Sequence, residues 1–346
     1  DLPWPTVELS DGSSVRLDSS GYARNRSSPN RDDRRLVFDT FWSTWKTYAR
    51  TCGVSLYSQI KSDLFHARTR HYPSCLAAAL DANRVPEAVY TTLIGTANDN
   101  LATLHRYLRL RGQMLGVDDL SYIDLYPPLL PDKPEFSIEN AKDLVLEAVA
   151  PLGEDYQIVT REGFAQRWVD VFPRPGTTSG AYASGAVYDV HPYVLMNFNG
   201  GFESVTTLAH EWGHAMHSHL ANAAQPYPTA HYPIFVAEVA STFNEALLLE
   251  NLLARSSGDD EQRLFYLGSA LDGLRGTFFR QTMFAEYELE IHRLVEHDQA
   301  LSGERFSELY GELLRRYHGH DQGIMAIADD YTVEWAYIPH FYYNFY

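Results

Sequence analysis

The chain has 346 residues, 45% of them apolar, enough for a sizeable core in one large domain or two ordinary ones. Its formal net charge of −17 opposes any general role in gripping nucleic acid, where basic patches supply most of the affinity, and suits a solvated acidic surface. No run of about 18 apolar residues occurs, so neither a membrane span nor a membrane partner is expected.

The N-terminus, Asp1-Leu2-Pro3-Trp4, has neither the basic start nor the apolar stretch of a signal peptide, and it lacks an initiator Met. The chain therefore reads as a processed or excised piece, with a cytoplasmic location expected. Cys52 and Cys75 lie in no metal-binding spacing, and a reduced compartment suits them. Residues 5–18 predict a hairpin: Thr6-Val7-Glu8-Leu9 and Ser14-Val15-Arg16-Leu17 flank an Asp11-Gly12 turn. From about residue 31 the pattern turns helical, with Leu36, Phe38, Phe41, Trp45 and Tyr48 near helical spacing. Residues 54–71, 86–115, 137–150 and 160–170 read the same way. Pro127-Pro128 and Pro131-Asp132-Lys133-Pro134 interrupt the chain near its middle.

The stretch 173–202 differs in kind. Loop residues run to Gly185, and His191-Pro192-Tyr193-Val194-Leu195-Met196-Asn197-Phe198 is β-like, closed by Asn199-Gly200-Gly201. Helices are expected again at 203–221, 232–256, 260–297 and 302–318. No repeat or low-complexity tract is seen. The pattern describes a mainly α fold with a small β-sheet placed just before one long helix. As domains, it reads as one catalytic unit over 1–346: a mainly helical half, 1–172, and a half, 173–346, holding the strand region and the helices with the site.

That long helix carries His210-Glu211-Trp212-Gly213-His214, an H-E-x-x-H motif. On a helix, His210 and His214 share a face one turn apart and can converge on one zinc ion. Glu211 lies about 100° round the helix from His210, within reach of a water on the metal, and can serve as general base. The motif alone is short enough to arise by chance, so its context must support it. Ser204 can cap the helix, and Val205, Leu208, Ala209, Trp212, Ala215, Met216 and Leu220 give it an apolar face. Gly213 costs about 1 kcal/mol of helix propensity relative to Ala, which suggests close packing or ligand approach.

Zinc needs a third protein ligand. Glu238 sits among apolar and small residues on the next helix, where an unpaired carboxylate is expensive. A metal would satisfy it, as would a buried arginine. Glu245, two turns on and on the same face, can orient one histidine from behind, or be a solvated carboxylate. His217, at i+7 from His210, lies about 10.5 Å along the axis and reads as supporting structure, and His219 as surface or packing.

In this motif and others along its length, the chain resembles the oligoendopeptidase F group of thimet-oligopeptidase-like zinc metallopeptidases. The resemblance runs through Ser179-Gly180-Ala181-Tyr182, His191-Pro192-Tyr193, Leu208–His214, His217-Ser218, Ala237–Thr242 with Asn244-Glu245, Phe279-Arg280-Gln281 with Met283–Glu286, and Ile338–Tyr342. It implies one Zn²⁺ per chain on His210, His214 and Glu238, with Glu211 as base. It implies a helical shell around a deep channel that admits oligopeptides and excludes folded proteins. It also implies zinc-dependent endopeptidase action on short oligopeptides, by Glu-assisted attack of zinc-bound water. The run His191–Phe198 resembles the family's edge strand, which makes Tyr182, His191, Tyr193, Leu195 and Asn197 candidate substrate contacts, unless that strand is paired internally. His340 and Tyr346 match donors to the tetrahedral intermediate, although such an aromatic run also suits packing. Family members carry further N-terminal and C-terminal segments. Two other readings stay open: a carboxypeptidase or dipeptidase on the same scaffold, and a non-catalytic peptide- or metal-binding remnant.

Overall fold

Gly12, at φ 80°, closes the turn between β1 (Thr6–Glu8) and β2 (Ser14–Arg16), an antiparallel pair in the register Val7↔Val15. The computed structural model describes residues 2–130, 134–174, 180–343 and 345. After the hairpin come α1 (Ser19–Asn25), α2 (Arg31–Thr47), α3 (Ala49–Thr69) and α4 (Cys75–Asp81), then α5 (Glu87–Asp99) and α6 (Leu101–Leu115). Next are α7 (Ile138–Ala148) and α8 (Glu154–Ala165), the strands β3 (Val169–Asp170), β4 (Tyr182–Ser184) and β5 (Tyr193–Leu195), and α9 (Phe202–Ala224). The chain ends with α10 (Ile234–Arg255), α11 (Asp260–Leu274), α12 (Arg280–Glu296), α13 (Gly303–His318) and two short 3-10 segments. The fold is mainly helical with a small sheet. Among the described residues no helix is long and apolar enough to cross a membrane.

Two compact units are present: residues 1–129 with 271–346, and residues 130–270. This departs from the halves read at residue 172. The first unit is discontinuous because α12, α13 and the tail pack on α2 and α3. The helix expected over 86–115 breaks at Asn100, and the one expected over 260–297 contains a π-helical turn at Arg275–Phe279.

In the first unit, Tyr22, Phe38, Phe41 and Trp42 pack as an aromatic core, Tyr22 stacking on Phe41 with centroids 4.0 Å apart. Beside them a buried carboxylate, Glu334, accepts from the hydroxyls of Tyr122 and Tyr310, each at 2.7 Å, and pairs with Arg280. That charge is affordable only because each oxygen is hydrogen-bonded. His318, at the end of α13, is buried and neutral, its Nδ1–H donating to the Leu314 carbonyl at 2.9 Å. Burial pushes its pKa down to about 4. The unfolded chain, with a His pKa near 6.5, binds this proton first, so stability is fully present above about pH 6.5 and falls as the pH drops towards 4. The expected loss is about 3 kcal/mol. In urea titrations across that range, His318→Gln should flatten the slope; an unchanged slope would contradict this assignment.

The second unit is built on α9. Val205, Leu208, Trp212, Ala215 and Met216 form its buried stripe, and the Trp212 indole donates to Thr160 Oγ1 at 2.9 Å. The helix begins one residue before the expected start, with Gly201 at the cap position. Ser204 lies inside the first turn instead and caps nothing: its hydroxyl donates to Asn199 Oδ1, which also accepts the Gly201 N–H, and among the described residues no side chain caps the helix. The sheet order is β3-β5-β4, with β5 parallel to β3 and antiparallel to β4.

Candidate metal centre

His210 and His214 project from one face of α9, as the i, i+4 spacing requires, with ring centroids 4.8 Å apart. Helix α10 packs alongside and brings Glu238 to them. Glu238 Oε2 lies 3.2 Å from His210 Nε2 and 3.4 Å from His214 Nε2. One donor atom from each of the three falls within 4.8 Å of the others, the one such group of three or more among the described residues.

What holds the two helices at this spacing is visible in their contact. An ideal Cβ on Gly213 would lie 2.6 Å from the Ala240 carbonyl oxygen and 2.6 Å from Ser241 Cα. Only glycine allows the α10 backbone so near α9. The penalty noted from sequence is therefore the requirement of close packing. Buried Asn244 adds a tie, donating to the Ala209 carbonyl at 3.2 Å. Ser241 Oγ donates to Glu238 Oε2 at 2.8 Å and steadies the carboxylate.

Glu238 itself is 63% exposed, so its surroundings are not the apolar ones expected. Its apolar neighbours along the chain, Phe235 and Val239, are themselves exposed. Among the described residues its partners are His210, His214 and Ser241, and no arginine pairs with it. Glu245 Oε1 sits 2.5 Å from His210 Nδ1, which leaves Nε2 to face Glu238. Burial alone would lower the His210 pKa; the hydrogen bond and charge of Glu245 outweigh it and raise it. Burial lowers the pKa of His214.

Glu211 is 7% exposed. Burial is the main cause of its raised pKa, while the backbone N–H of Ala183 on β4 donates to the carboxylate and works the other way. Its Oε2 is buried and has no hydrogen-bond partner among the described residues. An orphaned carboxylate oxygen beside two imidazoles and a second carboxylate is costly unless something else occupies the site.

The donor set fits zinc. Two imidazole nitrogens and one carboxylate oxygen are the three protein ligands of an open catalytic site. A tetrahedral ion with bonds of about 2.0–2.2 Å keeps neighbouring donors about 3.3–3.6 Å apart, and the two His–Glu separations, 3.2 and 3.4 Å, lie close to this.

His217 is not part of the cluster. It stacks on Tyr232 with centroids 3.7 Å apart. His219 lies against Trp168. His191–Phe198 is not an edge strand. Only Tyr193–Leu195 forms β5, and it is the middle strand, paired on both sides. Strand β3 was missed because it is two residues long, too short for any periodic signal. The edge strands are β3 and β4; β4 carries Tyr182, and its Ala183 N–H turns towards Glu211. Tyr182, Tyr193, Leu195 and Asn197 share the outer sheet face, since Tyr182 pairs with Leu195 and residues 193, 195 and 197 alternate with buried Val194, Met196 and Phe198. His191 stacks on Trp168 with centroids 4.9 Å apart. His340 is exposed on the 3-10 segment Pro339–Tyr342 of the first unit, and Tyr346 lies outside the described residues.

The sequence profile of peptidase family M3 matches residues 25–346. Oligopeptidase PepF of Bacillus subtilis is 42% identical over 347 residues, covering all of this chain and 51% of its own length. Group B oligopeptidase PepB of Streptococcus agalactiae is 39% identical, with 100% and 57% covered. The crystal structure of oligoendopeptidase-F from Enterococcus faecium superposes with a TM-score of 0.75 at 34% identity, over 100% of this chain and 55% of that one. The chain thus spans about half the length of the curated relatives it matches.

Proposed function

Because the chain belongs to peptidase family M3, we propose that it is the zinc-binding, catalytic part of an endopeptidase that hydrolyses short oligopeptides. The observation that carries this reading is the convergence of His210, His214 and Glu238 beside the orphaned oxygen of Glu211. The two histidines and Glu238 would hold one zinc ion, which when bound supplies Lewis-acid polarisation and lowers the pKa of water. Glu211 takes the proton of the attacking water and returns it to the leaving amine. Glu245 fixes the tautomer and orientation of His210. The edge strand β4 offers an extended backbone to a peptide, with Tyr182, Tyr193, Leu195 and Asn197 on the adjoining face. The family resemblance assigns the donors for the developing oxyanion to His340 and Tyr346. A binding remnant has no use for a base held in this position.

The test is product mapping by mass spectrometry on a peptide acetylated at its N-terminus and amidated at its C-terminus. Internal cleavage that stops with a chelator and returns with zinc is expected. Release of terminal residues alone from unblocked peptides would favour the carboxypeptidase or dipeptidase reading, and chelator-resistant cleavage would contradict the metal chemistry.

A further inference from the structure

The second unit holds a cavity at the far end of α10 from the metal centre. Asn140, Asp143 and Glu147, spaced i, i+3 and i+7, share one side of α7. The C-terminal end of α10 comes against them, and Arg255 pairs with Glu147. Between the two helices lies a space of about 390 Å³, floored by Leu144, Leu252 and Tyr266 and bordered by Glu135. Small-molecule sites run from about 300 to 1,000 Å³, so this one is large enough for an organic ligand. Arg255 and Glu238 are about 25 Å apart along the axis of α10, at 1.5 Å per residue.

Two features of the lining want a partner. Tyr266 is 5% exposed, its ring packed on Phe202 with centroids 5.2 Å apart. A buried phenol ordinarily finds a hydrogen bond, but this hydroxyl has none among the described residues. It is not sealed within the protein either, so it opens into the cavity that its side chain lines. Burial is the main cause of its raised pKa, and the charge of Arg255, on the same lining, acts the other way. The second feature is charge. Among the described residues Glu135 and Asp143 pair with no cation and accept no hydrogen bond. With Glu147 they set three carboxylates around the cavity against one guanidinium, that of Arg255. The last carbonyls of α10 add partial negative charge at the same place.

We propose that this cavity binds a small aliphatic primary amine, its ammonium among Glu135, Asp143 and the Tyr266 hydroxyl and its stem over Leu144 and Leu252. An ammonium is a compact donor of three hydrogen bonds, and these three groups all supply acceptor oxygens. A bare metal ion would leave most of the space, and the apolar floor, to water. A quaternary ammonium would give the tyrosine oxygen no donor. The same chemistry is carried by a free polyamine and by a lysine side chain of a peptide. The inference does not depend on the peptidase reading.

The experiment is calorimetry on the purified chain at low salt. Cadaverine and Nα-acetyl-lysine amide are the amine probes, pentanol the uncharged stem and calcium chloride the bare cation. Saturable binding of an amine at one site per chain is expected, with Kd on the order of 1 mM. Pentanol and calcium should bind at least about tenfold more weakly. Tighter binding of cadaverine assigns the site to free polyamines, and tighter binding of the lysine amide to peptide side chains; either supports the proposal. Asp143→Asn should weaken the amine about tenfold and Tyr266→Phe about threefold. Asp143 is exposed and phenylalanine keeps the ring on Phe202, so both variants should fold. Glu250→Gln, an exposed acid of α10 outside the cavity, should change nothing. No amine binding, equal binding of pentanol, or tighter binding of calcium would overturn the proposal. So would an equal loss in all three variants, which would mean diffuse attraction to an acidic surface. Affinity should be the same with and without zinc; affinity that follows metal content would put the amine at the metal centre and overturn the assignment.

Discussion

Glu211→Gln is expected to lower kcat for oligopeptide hydrolysis by about 10²- to 10⁴-fold while leaving metal content unchanged. The substitution is close to isosteric, and an amide oxygen can still accept from the Ala183 N–H that now reaches the carboxylate. Glu211 is not among the three converging donors, so its loss should not release the ion. What disappears is the proton acceptor. Because the residue is buried, no solvent carboxylate can easily take its place. The check is steady-state kinetics alongside zinc quantification on the same preparation. Wild-type kcat in the Gln variant would place the base elsewhere.

The second large effect is expected at a residue with no functional group. Gly213→Ala must push apart two backbones, since its new Cβ would meet the Ala240 carbonyl and Ser241 Cα rather than a side chain that can swing away. Overpacking of this kind costs about 1–3 kcal/mol, more than the roughly 1 kcal/mol of helix propensity that Ala restores. Any separation also carries Glu238 away from His210 and His214, and misplacement by about 1 Å can cost on the order of 10²-fold in activity. The expected result is a lower denaturation midpoint together with weakened zinc retention. A variant of unchanged stability and full metal content would show that the α9–α10 spacing is not set by this contact.

The parts that could be read from sequence were those with local signatures. The stripe from Val205 to Met216 and the i, i+4 histidines made α9 and its metal-facing side legible, and Asp11-Gly12 placed the first hairpin. Gly213 announced a close approach but not its partner, because Ala240 and Ser241 are near only in the folded chain. The strand at residues 193–195 was recognised by its alternation, whereas its position in the sheet was not. That position depends on β3, two residues with no pattern of their own. The environment of Glu238 was misjudged for a related reason: apolar neighbours along the chain are not neighbours in space, and Phe235 and Val239 face outwards. The π-helical turn at Arg275–Phe279 left no mark in the sequence, since it reflects how the helix is held rather than what its residues prefer.

Catalysis as proposed requires that His210, His214 and Glu238 hold an ion. Elemental analysis of the purified protein, beside His214→Ala and Glu238→Ala, measures this directly. About one zinc per chain in the parent and a marked loss in both variants is the predicted result. A parent protein free of metal after zinc loading, or variants that keep a full complement, would contradict it.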